Sequence, residues 1–293
     1  MPIVNKLNLD KILFRNVAAG RAKYMAYSRQ QLAERTALGD ETDRRDFFYY
    51  LLKARDPETG QGFATPELWA ESNLLIIAGS DTTSTAMAAT LFYLVRHPAA
   101  LAKATAEIRS KFASLEDIHQ GPILNTCTYL RACIDEAMRL SPSVGGLLPR
   151  EVLPGGMTVD GERVPEGTVI GTPHYTIHHN PDYYPDPFAY KPERWVVADM
   201  EKNGGEGVGE RDVQVAQSAF CPFSIGPRGC IGKGLAYVEM SITIARVLFM
   251  YDVRRAAGVV DPVGEEKVGE FQMVDIFTSL KNGPMVEFRR REL

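Results

Sequence analysis

The sequence predicts a mainly α-helical fold with a small β part, and three observations carry that expectation. Thr65 to His97 forms one helix-compatible stretch, with a good start and a proline stop at Pro98. Apolar residues at helical spacing recur on both sides of it, over 11–38, 98–112, 125–140 and 232–253. Strand-like patterning is confined to 155–175 and to a C-terminal hairpin over 271–291.

Taken in order, residues 11–38 place Arg and Lys between the apolar positions of a helix, and 42–56 reads as a second helix ending at Pro57 and Gly60. Thr65 is a suitable N-cap, Pro66 suits the first helical position, and Glu67 suits the positive end of the dipole. The stretch from there to His97 far exceeds the ~11–12 residues of an average helix, so it crosses the domain. Residues 98–112 and 125–140 follow as helices, the second stopped by Ser141-Pro142. In 155–175, Asp160-Gly161 and Glu166-Gly167 are turn signals in a small sheet. Residues 178–195, rich in Pro, Asp and Tyr, read as ordered loop, and 200–212 as a mobile, glycine-rich surface insertion. A helix over 232–253 precedes the terminal hairpin, with Asn282-Gly283 as its turn signal.

Composition narrows the function classes. The chain has 293 residues, enough for one large domain or two ordinary ones. Apolar content of 45% and charged content of 24% are ordinary for soluble globular proteins and exclude disordered and fibrous classes. A net charge of −4 gives no sign of a nucleic-acid partner. Cys127, Cys133, Cys221 and Cys230 form no C-x-x-C pair and no disulfide framework. The N-terminus lacks the continuous apolar run of a signal peptide, and the most apolar stretch, near 68–95, is broken by Glu71 and Asp81. The chain as written therefore reads as soluble or peripheral.

Four places carry candidate chemistry. Ala78-Gly79-Ser80-Asp81-Thr82-Thr83 sets poor helix formers in the middle of the long helix. Either the hydroxyls bond back to carbonyls one turn earlier, or the helix opens and presents an acid and a hydroxyl to a ligand. Glu136 and Arg139 share one helix face, a commonplace pair unless Arg194 of Lys191-Pro192-Glu193-Arg194-Trp195 adds a second guanidinium. His174, His178 and His179 have conceivable zinc spacing, but their surroundings look like extended loop, and satisfied loop histidines are the better reading. Cys230, in Phe223-Ser-Ile-Gly-Pro-Arg-Gly-Cys-Ile-Gly232, could be a structural thiol, a nucleophile or a metal ligand. Gly226, Gly229 and Gly232 would let the backbone approach a flat cofactor and point amides at the sulfur.

Together these motifs resemble the cytochrome P-450 haem-thiolate monooxygenases, in a fungal style. Phe223-x-x-Gly226-x-Arg228-x-Cys230-x-Gly232 matches the family's haem-binding loop without a departure, and is the most specific of the four matches. Glu136-x-x-Arg139, Pro192-Glu193-Arg194-Trp195 and Ala78 to Thr83 match the other three motifs, in the family's order. The resemblance implies a cytochrome P-450 fold covering the later part of the family's chain. In its terms, 1–64 are helices preceding the I helix, 65–96 the I helix, and 97–141 the J and K helices. Residues 142–195 are a small sheet and the loop ending at Trp195, 196–231 an insertion and the haem-thiolate loop, and 232–293 the L helix and hairpin, all in one domain lacking its N-terminal portion.

By position, the resemblance implies that Cys230 is the axial ligand of a haem b iron. Arg150 and Arg228 would pair with propionates, Phe223 would shield the sulfur, and Gly226 and Gly232 would admit the cofactor. Asp81 and Thr82 would deliver protons for oxygen activation. Glu136, Arg139 and Arg194 would form a structural cluster. Ile77, Ala78, Val144, Leu147 and Phe277 would line the substrate pocket. Electrons would come from NADPH through a flavoprotein reductase, with Arg131, Arg228 and Lys233 as candidate contacts, and family members are usually anchored to the endoplasmic reticulum. The activity implied is insertion of one oxygen atom from O2 into a small lipophilic substrate of secondary metabolism. The alternatives are a truncated, non-catalytic remnant, or an oxygen-independent isomerase or dehydratase, against which Asp81-Thr82 argue.

Overall fold

The computed structural model describes residues 15–39, 45–198, 208–258 and 269–292. The chain divides into two compact units, 1–78 and 79–293, with the boundary inside the longest helix.

The first unit contains α1 (Arg15–Ala37), α2 (Phe47–Lys53) and the opening turns of α3 (Thr65–Arg96). Asp46 caps α2 by accepting from the Tyr49 amide at 2.9 Å, and its carboxylate also meets Arg35 at 3.0 Å. Trp69 Nε1 donates to Ser28 Oγ at 2.7 Å and the Tyr24 hydroxyl donates to Asn73 Oδ1 at 2.9 Å, so two directed bonds join α1 to the start of α3. Thr65 is the first helical residue rather than the cap. The capping bond is made by Glu67, whose carboxylate accepts from the Ala64 amide at 2.7 Å.

The second unit contains the rest of α3, then α4 (Pro98–Lys111), α5 (Pro122–Asn125), α6 (Thr128–Leu140), α7 (His174–His178), α8 (Glu210–Ser218) and α9 (Lys233–Met250). Helices α4, α6 and α9 pack on one another around a core that includes Phe92, Tyr93, Leu94, Ile108, Leu130, Ile134, Met240, Ile244 and Leu248. Tyr129, Leu130 and every residue from Ala132 to Leu140 are buried. That burial takes Asp135, Glu136 and Arg139 out of water, so each must find a partner inside.

The strands are short antiparallel pairs. Strand β1 (Arg150–Glu151) pairs with β4 (Val169–Ile170), and β2 (Met157–Val159) with β3 (Glu162–Val164). The β2–β3 turn is Asp160-Gly161, both in the left-handed region at φ 49° and 85°, the geometry a two-residue hairpin requires. Strand β5 (Tyr251–Arg255) pairs with β8 (Val286–Arg290), and β6 (Val274–Ile276) with β7 (Thr278–Leu280).

Several expectations are corrected. The C-terminal hairpin turns at Phe277, at φ 89°, and not at Asn282-Gly283: β8 leaves it to pair with β5. The 155–175 sheet is two separate pairs, one of which reaches back to Arg150. The 125–140 helix begins only at Thr128, after the separate turn α5. His174–His178 is a helical turn, not extended loop, and Pro192–Trp195 is a 3₁₀ turn. Residues 200–207 of the expected insertion lie outside the described residues, and its end is already helix α8, whose start Asp212 supports by accepting from the Gly209 amide at 3.3 Å. The second helix covers 47–53, while residues 11–14 and 42–44 lie outside the described residues. Among the described residues, no helix is long and apolar enough to cross a membrane.

Candidate functional site

The four cysteines are not equivalent. Cys127 and Cys133 are buried and Cys221 is half-buried, while Cys230 is exposed. Burial pushes the thiols of Cys127 and Cys221 up and that of Cys133 up to about 12, so these three are held protonated. Only Cys230 is open to a ligand.

Its loop is fixed at the neck. The Cys230 amide donates to the Phe223 carbonyl at 2.8 Å, and the Gly229 amide to the Gly226 carbonyl at 2.9 Å, closing a 3₁₀ turn over Gly226–Arg228. Gly226 has φ +73°, which a side chain would strain. A Cβ on Gly229 would stand 3.1 Å from the Gly226 carbonyl, and one on Gly232 would stand 3.8 Å from the Cys230 sulfur. Bare backbone therefore flanks the thiol. Phe223 packs against the core, its ring 5.0 Å from that of Tyr237. Ile225, Ile231 and Leu235 are exposed around the loop, as is Arg228.

A buried acid–base cluster joins α6 to the segment 178–195. Glu136 and Arg139 are fully buried and Arg194 nearly so. Glu136 accepts five bonds: two from Arg139 at 2.9 Å, and one each from Arg194 Nε at 3.0 Å, the Lys191 amide at 2.9 Å and Trp195 Nε1 at 3.0 Å. Arg139 spends its remaining donors on the carbonyls of His178, Pro187 and Ala189. One carboxylate and two guanidiniums thus tie α6 to 178–195, the segment leading toward the cysteine loop.

The helix-opening expectation at 78–83 is not met. Helix α3 is continuous there, and just beyond the stretch Ser84 Oγ and Thr85 Oγ1 donate to the Asp81 carbonyl at 3.0 and 2.8 Å. The Asp81 carboxylate turns instead to the hairpin, meeting Lys281 Nζ at 3.3 Å. A hydrogen bond from the Thr278 hydroxyl, followed by Lys281, holds its carboxyl below the usual range, against partial desolvation. Ser143 Oγ donates to the Thr82 carbonyl at 2.7 Å, and Ser279 Oγ to the Ser143 carbonyl at 3.0 Å. Asp81, Thr82, the Ser143 loop and β7 therefore form one bonded group.

Of the other anticipated residues, Ile77 and Ala78 are exposed at the end of the first unit. In the second unit Leu147 and Phe277 are exposed and Val144 half-buried. A Cβ on Gly146 would collide with the Asp275 carboxylate, so the 144–148 loop and the hairpin touch closely. Arg150 donates to the Pro149 carbonyl at 2.9 Å. Arg131 is engaged internally, with Asp135 at 2.9 Å and the Tyr237 ring at 3.3 Å.

Sequence reasoning missed Tyr237, whose hydroxyl donates to the buried Asp135 at 2.8 Å, and the bond by which His178 Nε2 accepts from the Cys221 amide at 3.0 Å. Neither sits in a motif. His174 and His179 bond the Val144 and Tyr175 carbonyls through Nδ1.

Among the described residues, no group of three His, Cys, Asp or Glu side chains could hold a metal ion. Iron at Cys230 would need its other ligands from a macrocycle. The loop fits one, with an exposed thiol, bare backbone, an apolar rim and an arginine.

The family model described as Cytochrome P450 matches residues 7–273. The chain is similar to cytochrome P450 monooxygenase apf7 of Gibberella fujikuroi, 44% identical over 303 residues, covering 100% of this chain and 56% of that protein. It is similar to a cytochrome P450 monooxygenase of Gibberella zeae, 44% identical over 293 residues, covering 97% of this chain and 65% of that protein. Among solved structures it resembles a retinoic acid-bound cyanobacterial CYP120A1, with a TM-score of 0.75 and 25% identity, over 95% of this chain and 58% of that one. The chain thus spans less than two thirds of the length of each.

Proposed function

The chain belongs to the cytochrome P450 family, and from that premise we propose that it carries the cofactor-binding and proton-delivering part of a haem-thiolate monooxygenase. Its substrate class would be small lipophilic molecules of secondary metabolism. The observation that supports this reading best is the exposed Cys230 on a loop of bare backbone, beside three buried or half-buried cysteines that are held as thiols.

When bound, a haem with a thiolate ligand supplies the electron push that favours O–O cleavage. The chain's own residues do the rest. Cys230 would ligate the iron, with Gly226, Gly229 and Gly232 keeping side-chain bulk away from the macrocycle. Phe223 would keep water from the sulfur, and Arg228 and Arg150 would meet the propionates. Asp81, on the face of α3 turned to the hairpin, would pass a proton through its carboxylate, and Thr82 would relay it. Leu147, Val144 and Phe277 would contact the substrate. Glu136, Arg139 and Arg194 would hold α6 against 178–195 and touch no reactant. Electrons would reach the site from NADPH through a flavoprotein reductase.

The test is a reduced, carbon monoxide difference spectrum of the purified chain reconstituted with haem. The red-shifted Soret band of a thiolate-ligated ferrous haem is expected, with Cys230→Ala abolishing it. A wild-type chain without that band overturns the reading.

A further inference from the structure

We propose that Lys281 is a positioning residue for the Asp81 carboxylate, coupling the β6–β7 hairpin to proton delivery. The proposal rests on the reading of Asp81 as the proton-carrying group. The two residues lie 200 positions apart and meet at 3.3 Å, Nζ to Oδ1, with side chains 20% and 40% exposed.

An isolated ion pair at that exposure would fix little. This one is not isolated. Thr278, three residues before Lys281, donates its hydroxyl to the same carboxylate. Ser279, between them, donates to the Ser143 carbonyl, and Ser143 in turn donates to the carbonyl of Thr82. The strand therefore grips α3 at two consecutive residues by independent bonds, and Lys281 supplies the only charge in that grip among the described contacts of Asp81. The groups facing the carboxylate are the Lys281 ammonium and the Thr278 hydroxyl, both from the hairpin side. On its own helix, Ser84 and Thr85 bind the Asp81 backbone carbonyl and leave the carboxylate alone.

An ammonium at this distance favours the anion and turns it toward β7. The carboxylate accepts and passes a proton only as that contact loosens. Phe277, at the hairpin tip and exposed, is the residue a substrate would press against, so occupancy of the tip and readiness of the acid share one lever.

The test uses the full chain, with and without haem. The Asp81 carboxyl carbon is titrated by NMR in wild type, Lys281→Met and Lys281→Arg, with Asp81→Asn giving the assignment. The Met variant should move the midpoint up toward the ordinary carboxylate value, and the Arg variant should stay with wild type. In the haem-loaded protein, the acid limb of the turnover profile should rise with the Met variant alone, with KM unchanged. Should the Met variant fail to fold, Lys281→Gln is read the same way. An unmoved midpoint, or an Arg variant that shifts as far as Met, overturns the proposal. Absence of the thiolate band in wild type overturns the haem reading instead, and leaves the carboxyl titration readable.

Discussion

Arg194 Nε lies 3.0 Å from Glu136 Oε1, although 58 residues separate them in the chain. The contact joins a helix interior to a 3₁₀ turn, and every acceptor site on the Glu136 carboxylate is used. A buried carboxylate so fully bonded stabilises only as a set, because the guanidiniums left behind would be charges out of water.

Glu136→Ala should therefore cost about 3–5 kcal/mol, the usual penalty for breaking a buried pair by removing one side. Urea unfolding of the haem-free chain measures it as a fall in midpoint. Arg139→Ala should cost more than Arg194→Ala, since Arg139 gives two bonds to Glu136 and three to carbonyls. Arg139→Lys should not recover the loss, because an ammonium cannot reproduce the planar fork.

Cys230→Ala should behave in the opposite way. The residue is exposed, so unfolding of the haem-free variant should stay within about 0.5 kcal/mol of wild type. The thiolate band should nonetheless vanish. A large loss of stability in this variant would show that the thiol belongs to the core.

Gly226→Ala tests the backbone rather than the sulfur. A left-handed φ of +73° costs an L-residue about 1–2 kcal/mol. The turn should relax to avoid it, shifting Arg228 and weakening haem retention, read as faster transfer of haem to an apoprotein acceptor.

His178 sets an acid limit. Burial, reinforced by the neighbouring His174 and Arg139 charges, pushes its pKa down to about 3. The folded value lies below the unfolded one, near 6.5, so between the two the unfolded chain binds the extra proton. Stability should then rise with pH across that window and fall as pH drops from 6.5 toward 3, by up to about 1.4 kcal/mol per pH unit from this group. His178→Gln should flatten that part of the curve relative to wild type in urea titrations at stepped pH.

The helices and the cysteine loop were legible because their signals are local. Apolar spacing, the Pro98 stop and the glycines around Cys230 all act within a few residues. Glu136 with Arg139 was readable as an i, i+3 pair, but its value came only with Arg194, which no spacing rule could place. The opened helix at 78–83 was misjudged for the same reason. Poor helix formers there signal a functional need, yet the hydroxyls of Ser84 and Thr85 found the Asp81 carbonyl, and the carboxylate found Lys281 from the far end of the chain. The turn at Phe277 was hidden because a bulky residue at φ 89° carries no turn signature. Helix α8 was hidden behind the glycines that precede it.

The single bond from the Cys230 amide to the Phe223 carbonyl has a thermodynamic meaning for any ligand of the sulfur. It cinches a segment of the chain into a ring before anything binds, so the conformational entropy of presenting the thiol is lost during folding rather than on association. Ligand affinity at Cys230 is then set by the loop's closed population, and the folding equilibrium of this short stretch and the occupancy of its thiol become one linked quantity.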